Sequence, residues 1–123
     1  MIIGLGIDIV DIARLEAIYS RFGRRFLEKF LTPRELSALP DKALSYFAGR
    51  FAAKEAAVKA LGTGFSRGIG PRDIETLRNE NGVPQLHFLQ KAALRAQNLG
   101  VARRHLSISH ERSVAAAVVV LEA

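Results

Sequence analysis

The chain has 123 residues and no cysteine, which excludes disulfides, thiolate metal sites and a cysteine nucleophile. Apolar residues make up 49% and charged residues 24%, which excludes a disordered tail and gives enough chain for the core of one domain but not two. Eighteen Lys and Arg against twelve Asp and Glu leave a charge of +6, which favours an acidic partner: nucleic acid, an anionic membrane surface, a phosphorylated ligand or an acidic protein.

At the amino end, Met1-Ile2-Ile3-Gly4-Leu5-Gly6-Ile7-Asp8 has no basic leader and sets a carboxylate where a signal peptide is apolar. No apolar run approaches the ~18 residues of a membrane span, so a cytoplasmic chain is expected. The same segment alternates as a strand does, with Ile3, Leu5, Ile7 and Ile9 on one side and Gly4, Gly6, Asp8 and Val10 on the other. Over residues 12–30 the period becomes helical: Leu15, Tyr19, Phe22 and Phe26 form a stripe closed by Phe30, and Gly23 ends or bends the helix. Thr32-Pro33-Arg34-Glu35 reads as a capping box with Pro at the first helical position, opening a short helix that Pro40 stops.

Residues 41–61 are rich in Ala and predict the longest helix, ended by Gly62 and Gly64. After a Gly-rich loop over 62–70, Asp73 to Arg78 and Pro84 to Phe88 flank Asn81-Gly82 as a hairpin. A helix over 89–99 stops at Gly100, and strands over 105–109 and 114–121 finish the chain. Residues 115–120 are apolar on both faces, which predicts a central strand. The expected fold class is α+β: one domain over residues 1–123, with an antiparallel sheet packed against one long and several shorter helices.

Chemistry shows where polar residues interrupt apolar patterns. On a helical wheel with Phe51 at zero, Leu44, Phe47, Val58, Gly62 and also Glu55 fall within ~40°, which sets a carboxylate in the expected core stripe. Either Glu55 pairs with Lys59 at i+4 and reaches solvent, or it meets a cation. Asp8 is a second carboxylate among apolar neighbours, beside Gly4 and Gly6, whose missing side chains let something approach the backbone. It reads as a cap for a nearby helix or as a ligand. Two such carboxylates on separate elements suggest a shared cation, and with few His and no Cys the hard ion Mg²⁺ fits best.

Anion-binding groups accompany them. Arg50, Lys54 and Lys59 line the long helix, and the Gly62-Thr63-Gly64 turn offers backbone N–H groups, unless it is simply a helix stop. Ser109-His110 follows an alternating strand, where a His is either a surface residue or a ligand contact.

Gly6-Ile7-Asp8-Ile9-Val10, and Phe51-Ala52-Ala53-Lys54-Glu55-Ala56-Ala57-Val58-Lys59-Ala60-Leu61-Gly62 some forty residues later, resemble the two signatures of the 4′-phosphopantetheinyl transferases. The small size and Ser107-Ile108-Ser109-His110-Glu111 are similar to the bacterial holo-acyl-carrier-protein synthase branch of that family. The resemblance implies transfer of phosphopantetheine from coenzyme A to a serine of apo-acyl carrier protein, in fatty acid biosynthesis, with release of adenosine 3′,5′-bisphosphate. It implies that Asp8 and Glu55 hold Mg²⁺ at the coenzyme A diphosphate, while Lys59 neutralises charge on the departing phosphate. Glu55, directly or through water, would take the serine proton. Arg50, Ser109 and His110 match nucleotide-holding positions, with Gly62 and Gly64 bordering the diphosphate. Family members assemble as trimers with sites between protomers.

The basic excess then acquires a partner. Arg14, Ile18, Arg21 and Arg25 are spaced to share one helical face, with Arg24 beside them, and this face is similar to the family's docking surface for the acidic carrier. The same arginines also read as a solubilising face. Two rivals stand beside the transferase: a non-catalytic coenzyme A or nucleotide binder, and a small basic nucleic-acid-binding domain that leaves Asp8 and Glu55 unexplained.

Overall fold

A computed structural model describes residues 1–123. In chain order it contains β1 (Ile2–Asp11), α1 (Ile12–Phe22), α2 (Arg24–Phe30), α3 (Pro33–Ser37), α4 (Ala43–Leu61), β2 (Ile74–Arg78), β3 (Pro84–Phe88), α5 (Gln90–Leu99), β4 (Arg103–His110) and β5 (Val114–Glu122). The sheets are antiparallel: β5 is central in a three-stranded sheet ordered β1-β5-β4, and β2 and β3 form a separate hairpin. No helix is long and apolar enough to cross a membrane.

Local signals explain the boundaries. Thr32 and Glu35 make the expected capping box at α3, each side chain bonded to the other's backbone N–H. Gly23 takes φ +62° and splits the expected single helix into α1 and α2. That break alters the predicted stripe: Leu15 and Phe30 are buried, but Tyr19 and Phe22 are exposed. It also divides the arginine face, leaving Arg14, Ile18 and Arg21 on α1, and Arg24 and Arg25 on α2.

The long helix α4 is the axis of the core, lying across one face of the three-stranded sheet. Ala52, Ala53, Ala56 and Ala57 face small sheet residues such as Ala115 and Ala117, all buried. At the β1 edge the approach is tighter. A Cβ built on Gly4 would collide with the carbonyl oxygen of Ala60, and one on Gly6 with that of Ala56. The glycine side of β1 therefore accommodates the backbone of α4, which is what occupies the space the sequence left open there.

The opposite side of β1 is bare. Leu5, Ile7 and Ile9 are 65%, 66% and 68% exposed, and Ile2 is also open. On β5 the inward residues are buried while Ala116, Val118 and Val120 on the outer side are half-buried. Single exposed apolar residues need no explanation, but a contiguous apolar sheet face does.

Gly6→Ala is expected to lower unfolding stability by about 2–3 kcal/mol, because the new methyl group meets helix backbone rather than a movable side chain. Urea denaturation of the variant against Gly23→Ala reads this directly: Gly23 has open space, so its cost should come only from its positive φ.

Candidate active site

The first group of residues lies where β1 crosses α4. Asp8 belongs to the inward-facing side of β1, opposite Ala117 of β5. Lys59 Nζ donates to Asp8 Oδ1 at 3.1 Å and to the Ile7 carbonyl at 3.0 Å. Two of its three N–H groups are thereby used and one is free for a substrate oxygen. Burial raises the pKa of Glu55 above the ordinary carboxylate value and the Asp8 charge adds to the rise, while Lys59 and Arg14 work against it. A carboxylate whose ionisation is opposed by a neighbouring carboxylate charge forms with it a site that a cation stabilises.

The position of Glu55 corrects the helical-wheel expectation. Of the wheel positions, Phe47 and Val58 are buried as expected and Leu44 and Phe51 pack partly buried against the core, whereas Glu55, with Lys59 and Gly62, lies on the open strip of α4. An Ala-rich helix enclosed on most sides has no strong apolar stripe to read, so the wheel set buried and half-open positions on one arc. Glu55 is half-buried on that strip, beside Asp8 and not inside the core.

No group of three or more His, Asp or Glu side chains gathers to form an all-protein metal cage. The donor set is a pair of carboxylates, which fits Mg²⁺, an ion that takes one or two carboxylates and fills its shell with water and phosphate oxygens.

The second group lies at the other edge of the sheet. Arg50, Arg78, Lys42 and His110 line a cleft of about 290 Å³ with Tyr46, Gly49 and Pro84. The Arg50 guanidinium stacks 3.8 Å from the Tyr46 ring centre, and its Nε and Nη2 are buried with no hydrogen-bond partner. Burial pushes the Arg50 pKa down, with Tyr46 opposing the change and Arg78 adding to it. A buried guanidinium with unpaired donors is costly on its own and is satisfied by an anion. Gly49 permits the close packing here: a Cβ on it would sit 3.1 Å from Ile108 Cγ2.

Other expected residues separate from these two groups. Lys54 is not an anion-binding group. Fully buried, its ammonium donates to Glu35 Oε1 at 2.7 Å and to the carbonyls of Pro71 and Ile74. All three N–H groups are spent, and burial holds its pKa below the usual lysine value against the pull of Glu35. Glu35 also accepts from the Thr32 and Thr76 backbones.

The Gly62-Thr63-Gly64 turn offers no free amides either. Gly62 N–H donates to the Lys59 carbonyl, and Thr63 and Gly64 N–H both donate to that of Val58, because Gly62 at φ +78° closes the helix with a left-handed cap. Ser109 pairs with Ala116 and shares the outer sheet face with Ile9, whereas His110 pairs with Ala115 on the side of α4. One chain therefore does not bring Ser109 to the Arg50 cleft.

On α1 and α2, Arg21, Phe22, Arg25, Phe26 and Lys29 surround a cleft of about 430 Å³, and Arg21 lies over the Phe22 ring. Ile18 is half-buried. The apolar members of this cleft were read from sequence as core; the turn at Gly23 exposes Phe22. The buried Lys54–Glu35 pair was missed because its partners lie nineteen residues apart with no local pattern linking them.

Residues 4–119 match the model of the 4′-phosphopantetheinyl transferase superfamily. A holo-[acyl-carrier-protein] synthase of Desulfovibrio desulfuricans is 59% identical over 123 residues, covering 100% of this chain and 99% of that protein. The crystal structure of a holo-[acyl-carrier-protein] synthase from Neisseria meningitidis superposes with a TM-score of 0.93 at 36% identity over 100% of both chains. That of the Helicobacter pylori enzyme in complex with coenzyme A gives a TM-score of 0.85 at 37% identity, over 96% of this chain and 99% of the other.

Lys54→Met should cost about 3–5 kcal/mol of stability, because it strands the buried Glu35 carboxylate. The double variant Lys54→Met/Glu35→Gln should recover part of that loss in urea titrations. Additive losses would show that the two side chains do not act as a pair.

Proposed function

We propose that this chain, which belongs to the 4′-phosphopantetheinyl transferase superfamily, transfers 4′-phosphopantetheine from coenzyme A to a serine of apo-acyl carrier protein with Mg²⁺ as cofactor. The observation that carries the reading is the division of α4 into two incomplete charge sites. Near its middle, Arg50 has buried donors that lack an anion. Near its end, Lys59 pairs with Asp8 and its charge acts on Glu55, and the two carboxylates suit a divalent cation. A magnesium-bound nucleotide diphosphate supplies both missing partners. A nucleic-acid-binding domain accounts for neither the carboxylate pair nor the family.

Asp8 and Glu55 would hold the ion, which when bound supplies positive charge to the diphosphate. Arg50, with Arg78, Lys42 and His110, holds the 3′-phosphorylated nucleotide. The acceptor serine oxygen attacks the β-phosphorus, and the bond to the bridging oxygen breaks. The electron pair leaves on the α-phosphate of adenosine 3′,5′-bisphosphate. Lys59 directs its free N–H to that developing charge while its other two remain on Asp8 and Ile7. Glu55, directly or through a bound water, accepts the serine proton. Gly62 and Gly64 border the diphosphate as bare backbone.

The placement of the two sites supports a homotrimer with active sites between protomers. Arg50 and Glu55 project about 140° apart around α4, and Arg50 and Lys59 about 180°. They also lie toward opposite edges of the sheet. A single nucleotide reaches both sets more readily across a subunit boundary, and the bare face of Ile2, Leu5, Ile7 and Ile9 supplies apolar area for that contact. Ser109, on this outer face, then serves a neighbouring copy. The α1–α2 surface of Arg14, Ile18, Arg21, Arg24 and Arg25 receives the acidic carrier, and Arg14 near Glu55 sets the carrier's serine close to the carboxylates. A cytoplasmic enzyme serving fatty acid biosynthesis completes the reading.

Mass spectrometry of an apo-acyl carrier protein incubated with enzyme, coenzyme A and Mg²⁺ should reveal the added phosphopantetheine, and a chelator should abolish it. Asp8→Ala or Glu55→Ala should each lower turnover at least about a hundredfold. Full turnover by either variant would remove the metal assignment.

Co-expression tests the shared site. Arg50→Met and Glu55→Gln chains, each inactive alone, should recover about a quarter of wild-type sites when co-assembled in equal amounts, because a boundary between the two can draw both intact residues from different chains. No recovery in mixed oligomers would place each site within one chain.

A further inference from the structure

The α1–α2 surface accounts for only part of the basic excess. Residues 62–72 and 89–104 contain no Asp or Glu, yet they carry Arg67, Arg72, Lys91, Arg95, Arg103 and Arg104. Three of these, Arg67, Lys91 and Arg95, meet around an open cleft of about 330 Å³ with Thr63, Leu94 and Asn98. Lys91, Leu94, Arg95 and Asn98 follow the i, i+3, i+4, i+7 spacing of one helix face. Leu94 is 56% exposed at the middle of these cations.

Of the three cations, Arg95 is held by backbone and Lys91 lies against the bare backbone of Gly68. Arg95 Nε donates to the Leu61 carbonyl at 3.0 Å, at the carboxyl end of α4. Its Nη2 lies 3.5 Å from where a Cβ on Gly62 would stand. Lys91 crosses Gly68 so closely that a Cβ there would come within 2.7 Å of its Cδ. Arg67 adopts φ +56°, a left-handed conformation that a non-glycine residue rarely adopts. None of the three forms a salt bridge, whereas Lys54, Lys59 and Arg34 do.

We infer that this cleft is a second docking surface for the acidic acyl carrier, gripping it on the far side of the reacting serine from α1 and α2. The inference rests on the transferase reading above. Gly62 ends the open strip of α4 one turn beyond Lys59, about 4.5 Å along the axis, and Arg95 begins there. Arg14 stands at the Glu55 side of the same strip. A carrier whose serine reaches Glu55 and Lys59 thus has cations on both flanks. The composition fits an amphipathic acidic helix: an exposed leucine for its apolar residues, framed by pre-positioned cations for its carboxylates. Neither a Tyr46-like stacking ring nor a buried unpaired donor lines this cleft, so it lacks the features that mark Arg50 as a nucleotide contact.

The test compares wild type, Arg67→Glu/Lys91→Glu and Arg14→Glu/Arg21→Glu by steady-state transfer kinetics and analytical ultracentrifugation. Reversing Arg67 and Lys91 should raise the carrier KM about tenfold, leave kcat and the coenzyme A KM within about twofold, and lose most of its effect in high salt. Arg67→Gly, which suits the left-handed backbone, should raise carrier KM about threefold without strain. An unchanged carrier KM in both variants, alongside the expected rise for Arg14→Glu/Arg21→Glu, overturns the second surface and leaves the transferase reading standing. A rise in the coenzyme A KM, or a change in oligomeric mass, also overturns it by making the cleft a nucleotide or subunit contact. Absence of transfer by wild type overturns the transferase reading itself.

Discussion

The architecture depends on the distance at which α4 passes over β1. Gly4 and Gly6 let helix carbonyls stand where side chains would normally be, so helix and strand meet almost backbone to backbone. This contact puts Asp8 at the foot of the α4 strip carrying Glu55 and Lys59, and lets Lys59 reach both the Asp8 carboxylate and the Ile7 carbonyl. A conventional spacing between helix and sheet would leave two surface carboxylates with ordinary properties. Close approach makes them one electrostatic unit in which Asp8 helps raise the pKa of Glu55.

The helix is fixed in rotation as well as height. Lys54 ties it from within to Glu35 of α3 and to the carbonyls of Pro71 and Ile74. Glu35 in turn reaches the Thr76 amide of β2, and Thr32 donates to Glu75. Replacing such a pair with apolar residues often costs little stability, so its value here is directional. A buried lysine bonded to three named acceptors allows one rotation of α4, and that rotation keeps Glu55 and Lys59 on the open strip. Adjacent residues Lys54 and Glu55 thus divide the tasks of holding the helix and presenting the chemistry.

Much of this was legible in sequence wherever the signal was local. The Thr32–Glu35 box, the stop at Gly62, the hairpin around Asn81-Gly82 and the central placement of β5 each depend on a few neighbouring residues, and each is found as expected. Asp8 and Glu55 also stood out as carboxylates among apolar neighbours, whereas Lys59, Arg50 and His110 were given their roles by the resemblance to the family. What failed depended on packing against distant elements. The wheel set Glu55 together with the buried Phe47 and Val58 because alanine buries well without marking a side. The turn amides looked free because their acceptors are carbonyls of the helix itself. Lys54 looked like a phosphate ligand because nothing near it in sequence announces Glu35. The apolar side of β1 faces open space because a strand pattern indicates that a face is apolar, not what covers it.

That uncovered face and the two half-sites have a common explanation. A sheet only three strands wide carries one helix on one side, so the helix must supply residues to both edges and cannot wrap a large ligand alone. The buried guanidinium of Arg50, with donors that lack an acceptor, and the Asp8–Glu55 carboxylates, which have Lys59 as their one close cation, stand on nearly opposite sides of α4. In the proposed assembly the same placement would be economical: one copy would present its anion-seeking edge where the next presents its cation-seeking edge. An apolar face that made this contact would also determine how far apart the two half-sites stand. Subunit packing on this argument is part of catalytic geometry, and a substitution among Ile7 and its neighbours would disturb chemistry through spacing without touching a reacting group.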